Sequence, residues 1–254
     1  MKKILYYIAI SVICALPFNS CTLDEETSTD VEKKNFMRDA KEAEIVLQGV
    51  YRSTIEDGQS ILFNLGTDME QAEGNSTENY RIIPANAFPT TQSEVQTTWS
   101  SLYAGVYNAN DFLERISSKI NTYSDTDRQL ATLYIAEARA LRAMFYFELV
   151  RRYGNIALMT NTEMSKQDPR TFVQVKPEKV YEFIEDDLLY ASRILPYAQD
   201  DQYRIDNSYR FSRGAALGLL SKVYATWAGY PVYDESKWEE AAKTARTLIE
   251  SGKH

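Results

Sequence analysis

The chain has 254 residues, 44% of them hydrophobic and 25% charged, which is ordinary for a globular protein and supplies enough core to fold without staples. Its 36 acidic residues outnumber the 28 basic ones and give a formal charge of −8, so the clustered Lys and Arg of a nucleic-acid footprint are missing and uncharged ligands are expected. Tyr is abundant, 18 against 10 Phe, and most of these phenols read as amphipathic residues at the margin of the core.

Lys2 and Lys3 precede a largely apolar run from Ile4 to Phe18, the layout of a secretory signal. A membrane-spanning helix needs ~20 apolar residues, and this run gives way to Pro17, Asn19 and Ser20, so residues 1–20 read as a cleaved export signal. Cys21 follows at once and resembles the cysteine of a bacterial lipobox, with Phe18 and Asn19 replacing the usual Leu and Ala or Ser. The other cysteine, Cys14, departs with the signal, so Cys21 has no disulfide partner and lipidation is its expected role. Residues 22–28, with Asp24, Glu25 and Glu26, read as an acidic tether of the kind that sends some Gram-negative lipoproteins to the outer surface. Cleavage removes Lys2 and Lys3 and moves the charge from −8 to −10, so attraction to anionic lipid cannot hold the protein and the lipid must.

From residue 29 onward the pattern is helix after helix. Ala40, Ala43, Leu47, Val50 and Thr54 form a first stripe at three- and four-residue spacing, with Gly58 as its stop. A second helix is predicted over 91–120, with Trp99, Leu102, Tyr103, Val106, Ala109, Leu113, Ile116 and Ile120 on one face. In the third, Asp125 is the predicted cap, Leu130, Leu133, Ala136, Ala140, Ala143, Phe147 and Val150 the buried stripe, and Gly154 the end. Its three alanines let a neighbour approach closely, so helices two and three read as one antiparallel pair.

Pro177 suits the first turn of a fourth helix carrying Val180, Phe183, Ile184, Leu188, Ala191 and Leu195, which Pro196 breaks. Ser212 caps a fifth with Ala215, Ala216, Leu219, Val223 and Trp227. A sixth begins near Ser236 with Trp238, Ala241, Ala242, Ala245 and Leu248 on its apolar face and ends at Ser251 and Gly252. Ile82-Ile83 and Ile156-Ala157-Leu158 read as short strands or buried turns. The fold class is therefore all-α: hairpins like those of tetratricopeptide (TPR) repeats, packed in a bundle or superhelix with long inserted loops.

Two connections, residues 58–90 and 154–176, exceed simple hairpin turns, and loops beyond ~15 residues are usually functional or disordered. The first concentrates Asp68, Glu70, Asn75, Asn79, Tyr80 and Arg81 among glycines and prolines. Asp68, Asn75, Tyr80 and Arg81 are the candidate ligand contacts, with Trp99 as a stacking platform. The single histidine is His254, so no His-centred triad, imidazole base or ordinary zinc cluster can be built. No phosphate-binding glycine motif occurs, so no cofactor is expected, and no arrangement of the many carboxylates marks a glycosidase. The reading is a binding protein and not an enzyme.

Trp99 and Tyr103, followed by Asn108, Asn110, Phe112 and Leu113, resemble the W-x-x-x-Y…N-x-x-L helix of the SusD/RagB family. Residues Glu137 to Gly154 resemble that family's string EARFLRAxxYFxLxRxYG, with Ala140 in place of a larger residue. Val180-Tyr181 to Asp186-Asp187-Leu188, and Arg213, Ala215 and Ala216 to Lys222-Val223-Tyr224, resemble two further elements, while Ala157 stands where proline usually follows the YG turn. The resemblance implies an outer-membrane lipoprotein, lipid-anchored and facing the exterior. It would capture oligosaccharides, or peptides in RagB-type members, and deliver them to a SusC-like TonB-dependent transporter. It also implies that residues 29–254 are the family's N-terminal α-helical domain, with the C-terminal half absent. Glu137, Arg139 and Arg142 are expected to pair within the helix bundle, because family strings of this kind identify a scaffold more than a ligand site. A TPR-like protein-docking scaffold is the competing reading.

Overall fold

The computed structural model describes residues 36–54, 92–204 and 209–253, and among these it contains seven helices and a two-stranded ribbon. Helix α1 runs Ala40–Arg52. Asp39, in extended conformation, caps it by accepting from the Glu42 amide (2.8 Å). Ala40, Ala43, Leu47 and Val50 are buried as the stripe predicts, but the helix closes at Arg52, and the Thr54 hydroxyl folds back onto the Tyr51 carbonyl (2.7 Å). Gly58 and Ile82-Ile83 lie outside the described residues.

Helix α2 spans Ser93–Lys119 and α3 Asp125–Tyr153, the expected pair. The cap of α3 is Ser124 and not Asp125: the Ser124 hydroxyl accepts from the Asp127 amide (3.1 Å). Asp125 and Asp127 instead occupy the first turn, where the helix dipole favours carboxylates. Gly154 ends α3 at φ 71°, a left-handed conformation that favours glycine. Between Ala136 and Val150 α3 is buried almost all round, because α1, α2 and two later helices pack against it. Its real core therefore adds Tyr134, Leu141, Phe145, Tyr146 and Leu149 to the expected stripe, while Leu133 is only partly buried.

The connection after Gly154 is structured. β1 (Ile156–Ala157) pairs antiparallel with β2 (Gln174–Val175), Ile156 opposite Val175 and Ala157 opposite Gln174, around a short helix α4 (Thr162–Ser165). Helix α5 (Pro177–Ile194) starts with Pro177 in its first turn, where the missing amide hydrogen costs nothing. Helix α6 (Arg213–Ala228) begins at Ser212, whose hydroxyl accepts from the Ala215 amide (3.2 Å). The helices pack in sequence, α3 on α5, α5 on α6, and α6 on α7 (Lys237–Glu250). Two expected faces are rotated. Ala215 is exposed while Leu217 and Leu220 are buried, and Trp238 and Ala242 are exposed while Ala241 and Thr244 are buried.

Candidate functional site

The aromatic residues near the start of α2 meet the end of α3 and the β-ribbon. Trp99 lies 4.9 Å from Tyr103, centroid to centroid and tilted 51°, and Tyr153 meets it edge-on at 4.8 Å and 89°. The Tyr153 hydroxyl donates to the Val95 carbonyl (2.9 Å) and the Tyr103 hydroxyl to the Ala157 carbonyl (2.8 Å). Both phenol tips are thus committed to the scaffold, and burial pushes the Tyr103 hydroxyl up to about 12.

Between this cluster and the ribbon lies a cavity of about 340 Å³ lined by Trp99, Ser100, Tyr103, Ala157, Met159, Phe172 and Gln174. It falls within the usual size of small-molecule sites, and its make-up follows their pattern of apolar walls with a few polar groups. Ser100 and Gln174 are exposed and bring a hydroxyl and an amide to the site. Among the described residues that line it none is charged, and they offer surfaces for stacking and hydrogen bonding.

Buried polar groups fix this wall. The Tyr146 hydroxyl donates to the Met159 carbonyl (2.6 Å) and accepts from the Met159 amide (2.8 Å), while the Asn110 amide donates to the same carbonyl (2.9 Å). Asn110 accepts in turn from Arg142 (2.8 Å), and Arg142 is held by Asp187 through two bonds (2.8 and 3.0 Å). Arg139 bridges the fully buried Asp187 (2.6 Å) and the exposed Asp186 (2.5 Å). The neighbouring carboxylates thus differ in depth yet share one partner. Glu137 accepts from Arg210 (2.8 and 3.0 Å) and from the Tyr51 hydroxyl (2.5 Å), and it pairs with Arg204 (3.0 Å). Glu137, Arg139 and Arg142 therefore pair inside the bundle, as expected.

Of the candidate contacts, Trp99 forms part of the cavity wall. Asp68, Asn75, Tyr80 and Arg81 lie outside the described residues, as does Cys21. Their segment rejoins the described chain at Gln92, seven residues before Trp99. Phe172 and Gln174 were missed by sequence reasoning, although the excessive length of the 154–176 connection pointed to that stretch. A second crevice of about 230 Å³ lies beside Ser53, Thr54, Leu102 and Phe145, but its Arg151 and Arg152 both pair with Glu148.

A family model described as "Starch-binding associating with outer membrane" matches residues 23–225. A SusD-like protein of Formosa agariphila is 24% identical over 91% of this chain and 42% of its own length. A solved SusD homolog from Bacteroides thetaiotaomicron is 71% identical, with a TM-score of 0.86 over 91% of this chain and 44% of that one. A laminarin-binding SusD-like protein of known structure is 26% identical, with a TM-score of 0.65 over 82% of this chain and 43% of its own. The chain thus spans less than half the length of these relatives. With the helical hairpins and four motif strings in place, the match over residues 23–225 means that the chain belongs to the SusD/RagB family.

Proposed function

We propose that the protein captures neutral oligosaccharides at the outer membrane and passes them on unaltered. The observation that carries this reading is the uncharged cavity whose wall includes Trp99, Tyr103 and Phe172, with Ser100 and Gln174 as its polar groups. An aromatic face suits the apolar face of a sugar ring, and a hydroxyl and an amide suit its hydroxyls. Asp68, Asn75, Tyr80 and Arg81 remain the proposed polar contacts from the neighbouring segment. In this reading residues 1–20 are removed, Cys21 carries the lipid, residues 22–28 form the tether, and residues 29–254 make up the family's N-terminal helical domain. The recipient is a TonB-dependent transporter of the SusC type.

Affinity electrophoresis through gels containing starch or laminarin tests capture, and chromatography of the same oligosaccharides after prolonged incubation tests for cleavage. Retardation without new products is expected. Shortened oligosaccharides that accumulate with time would contradict the reading.

A further inference from the structure

The β-ribbon turns one face toward Trp99 and Tyr103. Side chains alternate across a strand, so Ala157 and Met159 share one face of β1 and its continuation, and Phe172 and Gln174 share one face of β2 and the residues before it. All four line the cavity, while Val173, between the last two, points away and is 79% exposed. In this register Ala157 stands directly opposite Gln174. The Cβ atoms of such partners lie about 4.5–5.5 Å apart, and the alanine side chain ends there. It therefore leaves room beside the Gln174 side chain that a longer residue would fill.

The two partners are held differently. The Ala157 carbonyl accepts from Tyr103 (2.8 Å) and the Met159 carbonyl from Tyr146 (2.6 Å) and Asn110 (2.9 Å), so α2 and α3 fix the first strand. The side-chain amide of Gln174 has no hydrogen-bond partner among the described residues. An amide brings an acceptor and two donors in a single plane. That set matches two adjacent hydroxyls of a sugar ring, the first donating to the amide oxygen and the second accepting from the amide nitrogen. Ser100, which also lines the cavity, brings a lone hydroxyl that rotates to suit what it meets, so it discriminates less.

We propose that Gln174 sets the selectivity of the cavity: its amide holds two neighbouring hydroxyls of one sugar unit, whose ring edge sits over Ala157 and against the aromatic wall. A site built to pair with hydroxyls rejects sugars that place them elsewhere, because the amide is then left without partners. The proposal rests on sugar capture and names the residue that chooses among neutral sugars.

Isothermal titration of maltohexaose, laminarihexaose and mannohexaose, which differ in linkage and in the orientation of their hydroxyls, into the full chain tests it. The native chain should favour one of them. Gln174→Leu, which keeps the bulk and removes the hydrogen bonds, should bind that sugar about tenfold more weakly and narrow the differences among the sugars. Trp99→Ala should instead weaken all of them together and keep their order. Ala157→Leu should fill the space beside Gln174 and abolish binding with the helical circular dichroism unchanged. Should that variant fail to fold, Gln174→Leu, at an exposed position, decides alone. A native chain that binds without preference, or a Gln174→Leu variant equal to it in affinity and in preference, overturns the proposal and leaves sugar capture standing. A native chain that binds none of these sugars overturns both.

Discussion

Asp187 sits fully buried between the guanidinium groups of Arg139 and Arg142, and through Arg142 and Asn110 it holds the Met159 carbonyl at the cavity wall. A buried carboxylate survives only with such partners, and removing one partner leaves the other charge desolvated and unpaired. Asp187→Ala is expected to cost about 3–5 kcal/mol, measured by urea unfolding. Replacing Asp187 and Arg142 together with leucine should recover a substantial part of that loss. A double variant as unstable as the sum of the two single ones would show that the pair is not acting as a unit. Because the same residues steady Met159, the single variant should also loosen the cavity.

Helices α2 and α3 approach closely at Gly105, where an added Cβ would lie 2.7 Å from ring atoms of Phe145. Phe145 is 2% exposed, and its ring would have to shift toward the crevice beside Ser53 and Leu102 to make room. Gly105→Ala is therefore expected to destabilise the pair by about 1–3 kcal/mol despite its better helix propensity, read as a lower urea midpoint with an unchanged slope. An unchanged or raised midpoint would mean that Phe145 can move aside. The existence and order of the main helices were legible in the sequence because spacing, proline and capping signals agreed. Which side of a helix meets which neighbour was less legible. Ser124 and Asp125 are both good caps, and only the backbone turn decides between them. Leu133 and Trp238 are apolar at helical spacing, yet burial depends on how the packed helices rotate. For α3, which has neighbours on several sides, no single stripe can describe the core. Trp99, expected from the sequence as a stacking platform, lines the cavity, whereas Phe172 and Gln174 reach the cavity through a two-residue strand pairing too short to leave an alternating pattern.

Across the whole molecule, tyrosines tie helices together while remaining protonated. Burial pushes Tyr103, Tyr123, Tyr134 and Tyr181 up to about 12, and it drives Tyr51, Tyr146 and Tyr224 higher still. A group whose pKa is raised in the folded state contributes stability that is fully present below its unfolded value, about 10 for tyrosine. That stability is lost as pH rises through the folded value. The tyrosine contribution should therefore be level from neutral pH to about pH 10 and fall between about pH 10 and 12, with buried tyrosines ionising only as the near-ultraviolet circular dichroism is lost. Tyrosines that all titrate near 10 in a still-folded chain would contradict this.

The proposed lipid anchor at Cys21 is likewise tested on the whole chain. With Cys21→Ala the protein should leave the membrane fraction for the soluble one, and continued partition into detergent would exclude lipidation at that residue.

On the proposed function, the cavity at Trp99 holds a sugar. Isothermal titration of neutral glucan oligosaccharides into the protein and into its Trp99→Ala variant tests this, since the Trp99 ring supplies apolar contact area at about 25 cal/mol per Å² buried. Saturable heat with the native chain, and binding at least several-fold weaker in a variant with unchanged helical circular dichroism, is the expected result. Equal affinity for the two proteins, or no heat with any neutral glucan, would rule out sugar binding at Trp99.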